Sequence, residues 1–198
     1  MAKRKSLYDR FNEEYTAAVV PANNKDGFAI KYVYYGPWYF WDLSEKELKR
    51  RKRVIALQWL GCVMFYIFAA VVGAEANSIS YIAFPAMFSL CAKIFGSFGI
   101  CQFFFAEYRT TRANYQDSNR RIRLFIGLNT ILVLCAAAGL LVYIVRYGFA
   151  LYRLAALLGY LADGCLSASI RKRYAAIPFN TEKNDTLNQI ERATMEPG

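Results

Sequence analysis

Three polar side chains stand where their surroundings make charge expensive: Lys93, Asn129 and Asp163, each inside a long hydrophobic block of a 198-residue chain. An ionisable group in a hydrocarbon core costs about 2.5–3.5 kcal/mol on insertion scales, so it needs a partner, water or an escape route. Arg153, the remaining charge in these blocks, lies close to one block end, and its long stem can snorkel out. Lys93 and Asp163 have no such exit. Helical spacing puts Ala86, Ser89, Lys93, Gly96 and Ser97 on one face, and Ala155, Gly159, Asp163 and Ser167 on another. Small residues at these intervals let two backbones approach closely. The spacing predicts that the two faces pack, that Lys93 and Asp163 form a buried ion pair, and that Asn129 hydrogen-bonds to it. Counted from the block ends, Asp163 is seven residues from Ile170 and Asn129 five from Leu124, but Lys93 is thirteen from Ala106. The lysine stem is therefore expected to bridge a difference in depth. Such a pair suits a proton relay or transport site, or polar glue that fixes helix register. Glue is the simpler reading, because transport cores show more than one ion pair and broken helices in corresponding positions.

The rest of the chemical inventory is thin. The chain has no histidine, which removes the commonest general base and the usual haem and catalytic zinc ligands. Cys62, Cys91, Cys101, Cys135 and Cys165 all fall in apolar blocks without a CxxC spacing, and are expected to pack between helices as small hydrophobes. Asp163-Gly164 with Ser167-Ala168 resembles the opening of the aspartate–glycine motif of CDP-alcohol phosphotransferases. The arginine after the alanine and the later pair of aspartates are missing, so the metal site that bridges phosphates in that family cannot be assembled. No Walker loop, G-x-S-x-G or H-E-x-x-H arrangement is present. The expectation is a protein without catalytic residues, metal or cofactor.

What must position the three polar groups is a set of membrane spans. Hydrophobic residues make up 56% of the chain, and 25 Lys and Arg against 15 Asp and Glu leave a formal charge of +10. The mean hydropathy of +0.16 averages two unlike parts. Blocks 54–73, 79–106, 124–145 and 148–170 hold 93 residues and only three charges. A bilayer core about 30 Å thick needs roughly 20 apolar residues, so all four are expected to span. The expected fold is an all-α membrane protein with four transmembrane helices in an antiparallel bundle. Segment 1–43 forms a short N-terminal extension with room for a small strand, 44–170 the transmembrane domain, and 171–198 a polar tail. Ser44 and Glu47 make a capping box, which predicts a helix starting near Glu45 and entering the membrane behind Lys46, Lys49, Arg50, Arg51, Lys52 and Arg53. Pro85 can kink the second span without ending it. Little more than Arg146 and Tyr147 separates the last two blocks, so those helices should form a tight hairpin.

Charge sets the orientation. Of the 25 Lys and Arg, 22 fall in the N-terminal segment, the loop 107–123 and the tail, all on one side of a four-span protein. The positive-inside rule makes that side cytoplasmic, with both termini, and the plasma (inner) membrane is preferred over an organelle. Met1 to Arg10 carries four cations with no apolar run behind them, so no cleaved signal is expected. Phe28 to Tyr35 reads as a strand or extended segment broken by Gly36-Pro37. Trp38, Tyr39, Phe40 and Trp41 are expected in the headgroup layer as an interfacial anchor, with a docking surface for a partner as the competing reading. Arg109, Arg112, Arg120, Arg121 and Arg123, with Tyr108 and Tyr115 between them, suit anionic lipid headgroups or an acidic partner. No nucleic acid is expected, since phosphate attraction without a recognisable fold is not readout. The tail reads as a basic flank running into a polar, partly disordered end, whose triplet Asn184-Asp185-Thr186 would be cytoplasmic and unglycosylated. The combined expectation is a non-enzymatic accessory or assembly subunit of a larger membrane complex, contacting the lipid bilayer and either a membrane-protein partner or a second copy of itself. The rival is a small transporter or channel component using Lys93 and Asp163.

Overall fold

The computed structural model describes residues 14–21 and 28–183; the basic start Met1 to Arg10 and the triplet Asn184-Asp185-Thr186 lie outside them. Most of the described chain is helical. Helix α1, Glu45–Val72, begins where the capping box places it: the Ser44 side chain accepts the Glu47 N–H at 3.3 Å, and Glu45 and Glu47 occupy the positive first turn. Gly73 ends α1 and leads into a single turn, α2, Ala74–Asn77. Helix α3, Ser80–Phe105, carries Pro85 in its second turn without breaking. Helix α4, Arg112–Arg121, is capped by the Thr111 hydroxyl, passes through a π-helical turn, Ile122–Ile126, and continues as α5, Gly127–Tyr147. Gly148, at φ +88°, makes the turn into α6, Leu151–Ala175.

Three helical stretches are long and apolar enough to cross a membrane: α1, α3 and the 36-residue run from Arg112 to Tyr147. Their outward faces carry large apolar side chains, including Leu57, Met64 and Phe68 on α1, Phe84, Met87 and Phe88 on α3, and Ile131 and Val142 on α5. Soluble proteins rarely tolerate apolar patches beyond a few hundred Å². Surrounded by lipid tails, the same faces are in a matched solvent, as in a helical membrane protein. Helix α1 packs along α6, α6 along α5, and α5 along α3, with a lighter contact between α1 and α3.

Two apolar clusters fill the space between the helices. One, at the basic end, contains Trp41, Ile55, Trp59, Phe103, Tyr115 and Ile122; the other contains Tyr66, Ile82, Val133, Leu140, Ala156 and Tyr160. Helices α1 and α6 touch closely: a Cβ on Gly159 would lie 2.9 Å from the Ala69 Cβ.

Strands occupy more of the chain than the single short one expected. β1, Tyr15–Pro21, and β2, Phe28–Tyr34, form an antiparallel pair with Tyr15 opposite Tyr34. β3, Trp38–Trp41, lies between β4, Arg109–Thr110, and β5, Phe179–Glu182, so that three distant segments close over the basic end of the helices. Three expectations change accordingly. The loop 107–123 is mostly helix, because Thr111 caps a turn that propagates into the apolar run behind it. The first part of the tail is ordered: α6 continues to Ala175, and Phe179–Glu182 forms a strand that pairs Phe179 with Trp41. Only Cys62 is buried; Cys91, Cys101, Cys135 and Cys165 are exposed on outward faces instead of packing between helices. A thiol is a small hydrophobe, and a hydrocarbon surround receives it as readily as a neighbouring helix does.

Candidate functional site

Between the two apolar clusters, at the waist of the helices, the polar residues of the blocks meet. Lys93 is 13 residues from Ser80 and 12 from Phe105, and Asp163 is 12 from each end of α6. Both therefore sit about 18 Å from either helix end at 1.5 Å per residue. The difference in depth expected from the block boundaries disappears, because α6 runs past Ile170 to Ala175. Small-residue spacing brings the faces together: Ser89 and Lys93 point inward from α3, Asn129 from α5, and Asp163 and Ser167 from α6, all 3% exposed or less.

The resulting contacts form a closed circuit. Lys93 Nζ donates to Asp163 Oδ2 at 2.6 Å, to Asn129 Oδ1 at 2.5 Å and to Ser89 Oγ at 3.2 Å. Asn129 Nδ2 donates to Asp163 Oδ1 at 3.2 Å and to Ser167 Oγ at 2.7 Å. The Ser89 hydroxyl donates to Asn129 Oδ1 at 2.7 Å, and that of Ser167 reaches the Asp163 carbonyl at 2.9 Å or its Oδ1 at 3.2 Å. An ammonium has three donors and a primary amide two, and each has an acceptor here. The Lys93 ammonium also lies 4.6 Å from the centre of the Tyr66 ring, whose hydroxyl donates to the Ala86 carbonyl at 2.8 Å. Cys62 borders the circuit, its Sγ 3.5 Å from Ser167 Oγ. Charge is balanced and no donor is left over, which is the condition under which a buried polar network holds its elements in one register. Sequence spacing puts Ser89 and Ser167 on the packing faces and Cys62 between helices, but gives none of them a hydrogen-bonding role and does not point to Tyr66; the four-residue spacing of Ser89 to Lys93 and Asp163 to Ser167 is the signal for the serines.

A second polar cluster closes the opposite end. Arg153 does not simply snorkel. Its guanidinium donates to the Tyr147 and Gly148 carbonyls at 2.9 and 2.8 Å, lies 4.9 Å from the Tyr143 ring centre, and reaches Glu75 at 3.5 Å. Tyr152 donates to the same carboxylate at 2.5 Å, and that hydrogen bond, with the nearby arginine, holds the Glu75 carboxyl below the usual carboxylate range. A carboxylate in a five-residue turn carries no sequence signal for such a latch.

At the basic end, the aromatic segment is largely taken up by packing. Trp41, 4% exposed, meets Phe103 edge-on at 5.3 Å, and Tyr39 stacks on Tyr115 at 5.0 Å. Strand alternation turns both inward, so neither is a free anchor or docking group. Trp38 and Phe40 stay half-buried, against Tyr34 and Tyr108. Of the arginines, Arg109 pairs with Glu182 at 3.1 Å and Arg112 approaches Glu14 at 3.7 Å; Arg120 is exposed and Arg121 half-buried on α4. Trp38, Arg109, Thr111, Asn114 and Tyr115 line part of a cavity of about 470 Å³. Among the described residues no group of three His, Cys, Asp or Glu side chains could hold a metal ion. No family model, curated protein or solved structure matches the chain.

Proposed function

We propose that the chain is a four-span membrane protein that acts as a non-enzymatic accessory or assembly subunit, with both termini and the basic end in the cytoplasm of a cell whose plasma membrane it occupies. In this reading 44–170 is the transmembrane domain, 1–43 and 171–198 are its cytoplasmic flanks, and α6 is the fourth span. That helix is less apolar along its central stretch than the other three spans, and Lys93 on α3 neutralises its Asp163 while Asn129 on α5 hydrogen-bonds to it. The cytoplasmic contact surface is the face of β3 bearing Trp38 and Phe40, the adjoining cavity, and the exposed arginines of α4. A membrane-protein partner or a second copy of the chain would meet it there.

The observation that carries the non-transport reading is the closed circuit: every donor of Lys93 and Asn129 has a protein acceptor, leaving none for a passing ion or substrate. The rival, a transporter or channel component, draws on the same residues, because two opposite charges held this deep are costly unless they are used. The two differ in whether water reaches the site. Cys62 is a native probe, since it touches Ser167 and its thiol is buried. With Cys91, Cys101, Cys135 and Cys165 changed to Ala, a small hydrophilic methanethiosulfonate reagent should leave Cys62 unmodified in membranes and modify it only after denaturation. Modification in native membranes would reveal a water path to the circuit and favour transport.

A further inference from the structure

At the basic end, two cavities lie side by side where the cations of α1 give way to its first apolar residues. The first, of about 500 Å³, is walled by Arg50, Arg51 and Arg173 and floored by Val54 and Ile55, with Ala176 at one side. The second, of about 580 Å³, shares Arg50 and Val54 and adds Lys46, Lys49 and Arg53. The sole carboxylate among the lining residues of either is Glu47. It is already engaged by Arg51, whose guanidinium bonds it at 2.8 Å and also donates to the Ala176 carbonyl at 3.2 Å, tying α1 to the end of α6. Arg50 and Arg173 have no ion-pair partner among the described residues; Arg173 makes one weak contact, to Ser169 Oγ at 3.4 Å.

Topology asks only that cations lie somewhere on this side. It does not ask that guanidiniums from two helices converge on one cavity with an apolar floor. We infer that this paired cavity binds an anionic phospholipid carrying two phosphate groups, with one phosphate between Arg50 and Arg173, the second between Lys46 and Arg53 beside Lys49, which Glu45 already holds at 2.6 Å, and the acyl chains running down past Val54. Guanidiniums take phosphate oxygens in a bidentate fork, and basic pockets between helices at the cytoplasmic boundary are a recurrent form of lipid headgroup site. The apolar floor selects an intact lipid over a free phosphate. The bridge from Arg51 to Ala176 means that an occupant would also brace α1 against α6.

The inference rests on α1 and α6 crossing a bilayer, and its test separates the two claims. The full chain is reconstituted into phosphatidylcholine vesicles containing cardiolipin, phosphatidylglycerol or neither, then extracted in mild detergent for native mass spectrometry and thermal unfolding. Pyrophosphate added to detergent-purified protein tests the free anion. Cardiolipin should be retained in preference to phosphatidylglycerol and should raise the unfolding midpoint, and pyrophosphate should do neither. Arg50→Gln and Arg173→Gln should each weaken retention about fivefold, the equivalent of the ~1 kcal/mol that a basic residue contributes near an anionic surface. Arg171→Gln with Lys172→Gln removes the same charge as the Arg50 and Arg173 changes combined, but from outside both cavities, and should leave retention unchanged. A control loss as large as that from Arg50→Gln combined with Arg173→Gln, equal retention of the two anionic lipids, or stabilisation by pyrophosphate would overturn the site. A protein that stays in solution without lipid or detergent would overturn the membrane reading beneath it.

Discussion

At the scale of single residues, Lys93 and Asp163 are the groups on which the interior depends. Removing one member of a buried, hydrogen-bonded pair leaves the other charged and uncompensated, a loss of about 3–5 kcal/mol, whereas replacing both is often close to neutral. Lys93→Met and Asp163→Asn should therefore each lower the thermal unfolding midpoint and the folded yield in detergent, and the double variant should recover most of the loss. A double variant no more stable than either single one would sever the direct pairing. At the far end, the Tyr152 hydroxyl and Arg153 keep the Glu75 carboxyl ionised below its ordinary range. A carboxyl lowered in the folded state adds stability above the unfolded value, near pH 4.3, and loses it as pH falls through the folded value. Glu75→Gln should accordingly be less stable than the parent at pH 7, with the gap closing in strong acid. Lys93, Asn129 and Asp163 were legible in the sequence because a polar group in an apolar run must find a partner, and helical spacing says on which face. The outward cysteines were not, because an apolar side chain is equally at home against lipid or protein, and no alternation marks the difference. The Glu75 latch was hidden because its partners lie more than 60 residues away.

At the scale of elements, close approach and pairing decide the arrangement. Gly159 lets α6 settle on α1, and a methyl there would lie 2.9 Å from the Ala69 Cβ and 3.2 Å from the Phe65 carbonyl oxygen. Gly159→Ala should destabilise by about 1–3 kcal/mol through overpacking, measured as a drop in unfolding midpoint without loss of helix content. An unchanged midpoint would mean that the helices lie further apart than described. Helix starts and apolar stretches could be read locally, from the Ser44 cap, from block length and from the tolerance of a span for Pro85. The sheet at the basic end could not. β3 pairs with β4 and β5 across long separations, and two- and four-residue strands are too short to show a period. The loop 107–123 misled for a related reason: its polar composition concealed a helix that Thr111 caps and the hydrophobic run beyond it extends. Trp41 misled because an aromatic beside a membrane boundary has the same composition whether it anchors in lipid or seals a core.

For the whole molecule, the charge asymmetry and the polar interior lead to one architecture. Among the described residues, the exposed cations of α1, α4 and α6 gather at the end where α1 begins, α3 ends and α6 ends. The opposite end is closed by the short turn Ala74–Asn77 and the hairpin at Gly148. Helix α6 is the element on which this architecture turns, because it lacks an 18-residue stretch as apolar as those of the other three long helical runs and is admitted between α1 and α5 by the neutralisation of Asp163 from within. If it spans, the turn at Gly148 and the strand Phe179–Glu182 face opposite sides of the bilayer. Labelling settles this directly, using Phe149→Cys and Lys183→Cys placed one at a time in a chain without its native cysteines. With a membrane-impermeant maleimide on intact cells, position 149 should be modified at once and position 183 only after permeabilisation. Equal labelling of the two positions before permeabilisation, or of neither, would contradict the crossing of α6 and with it the four-span account.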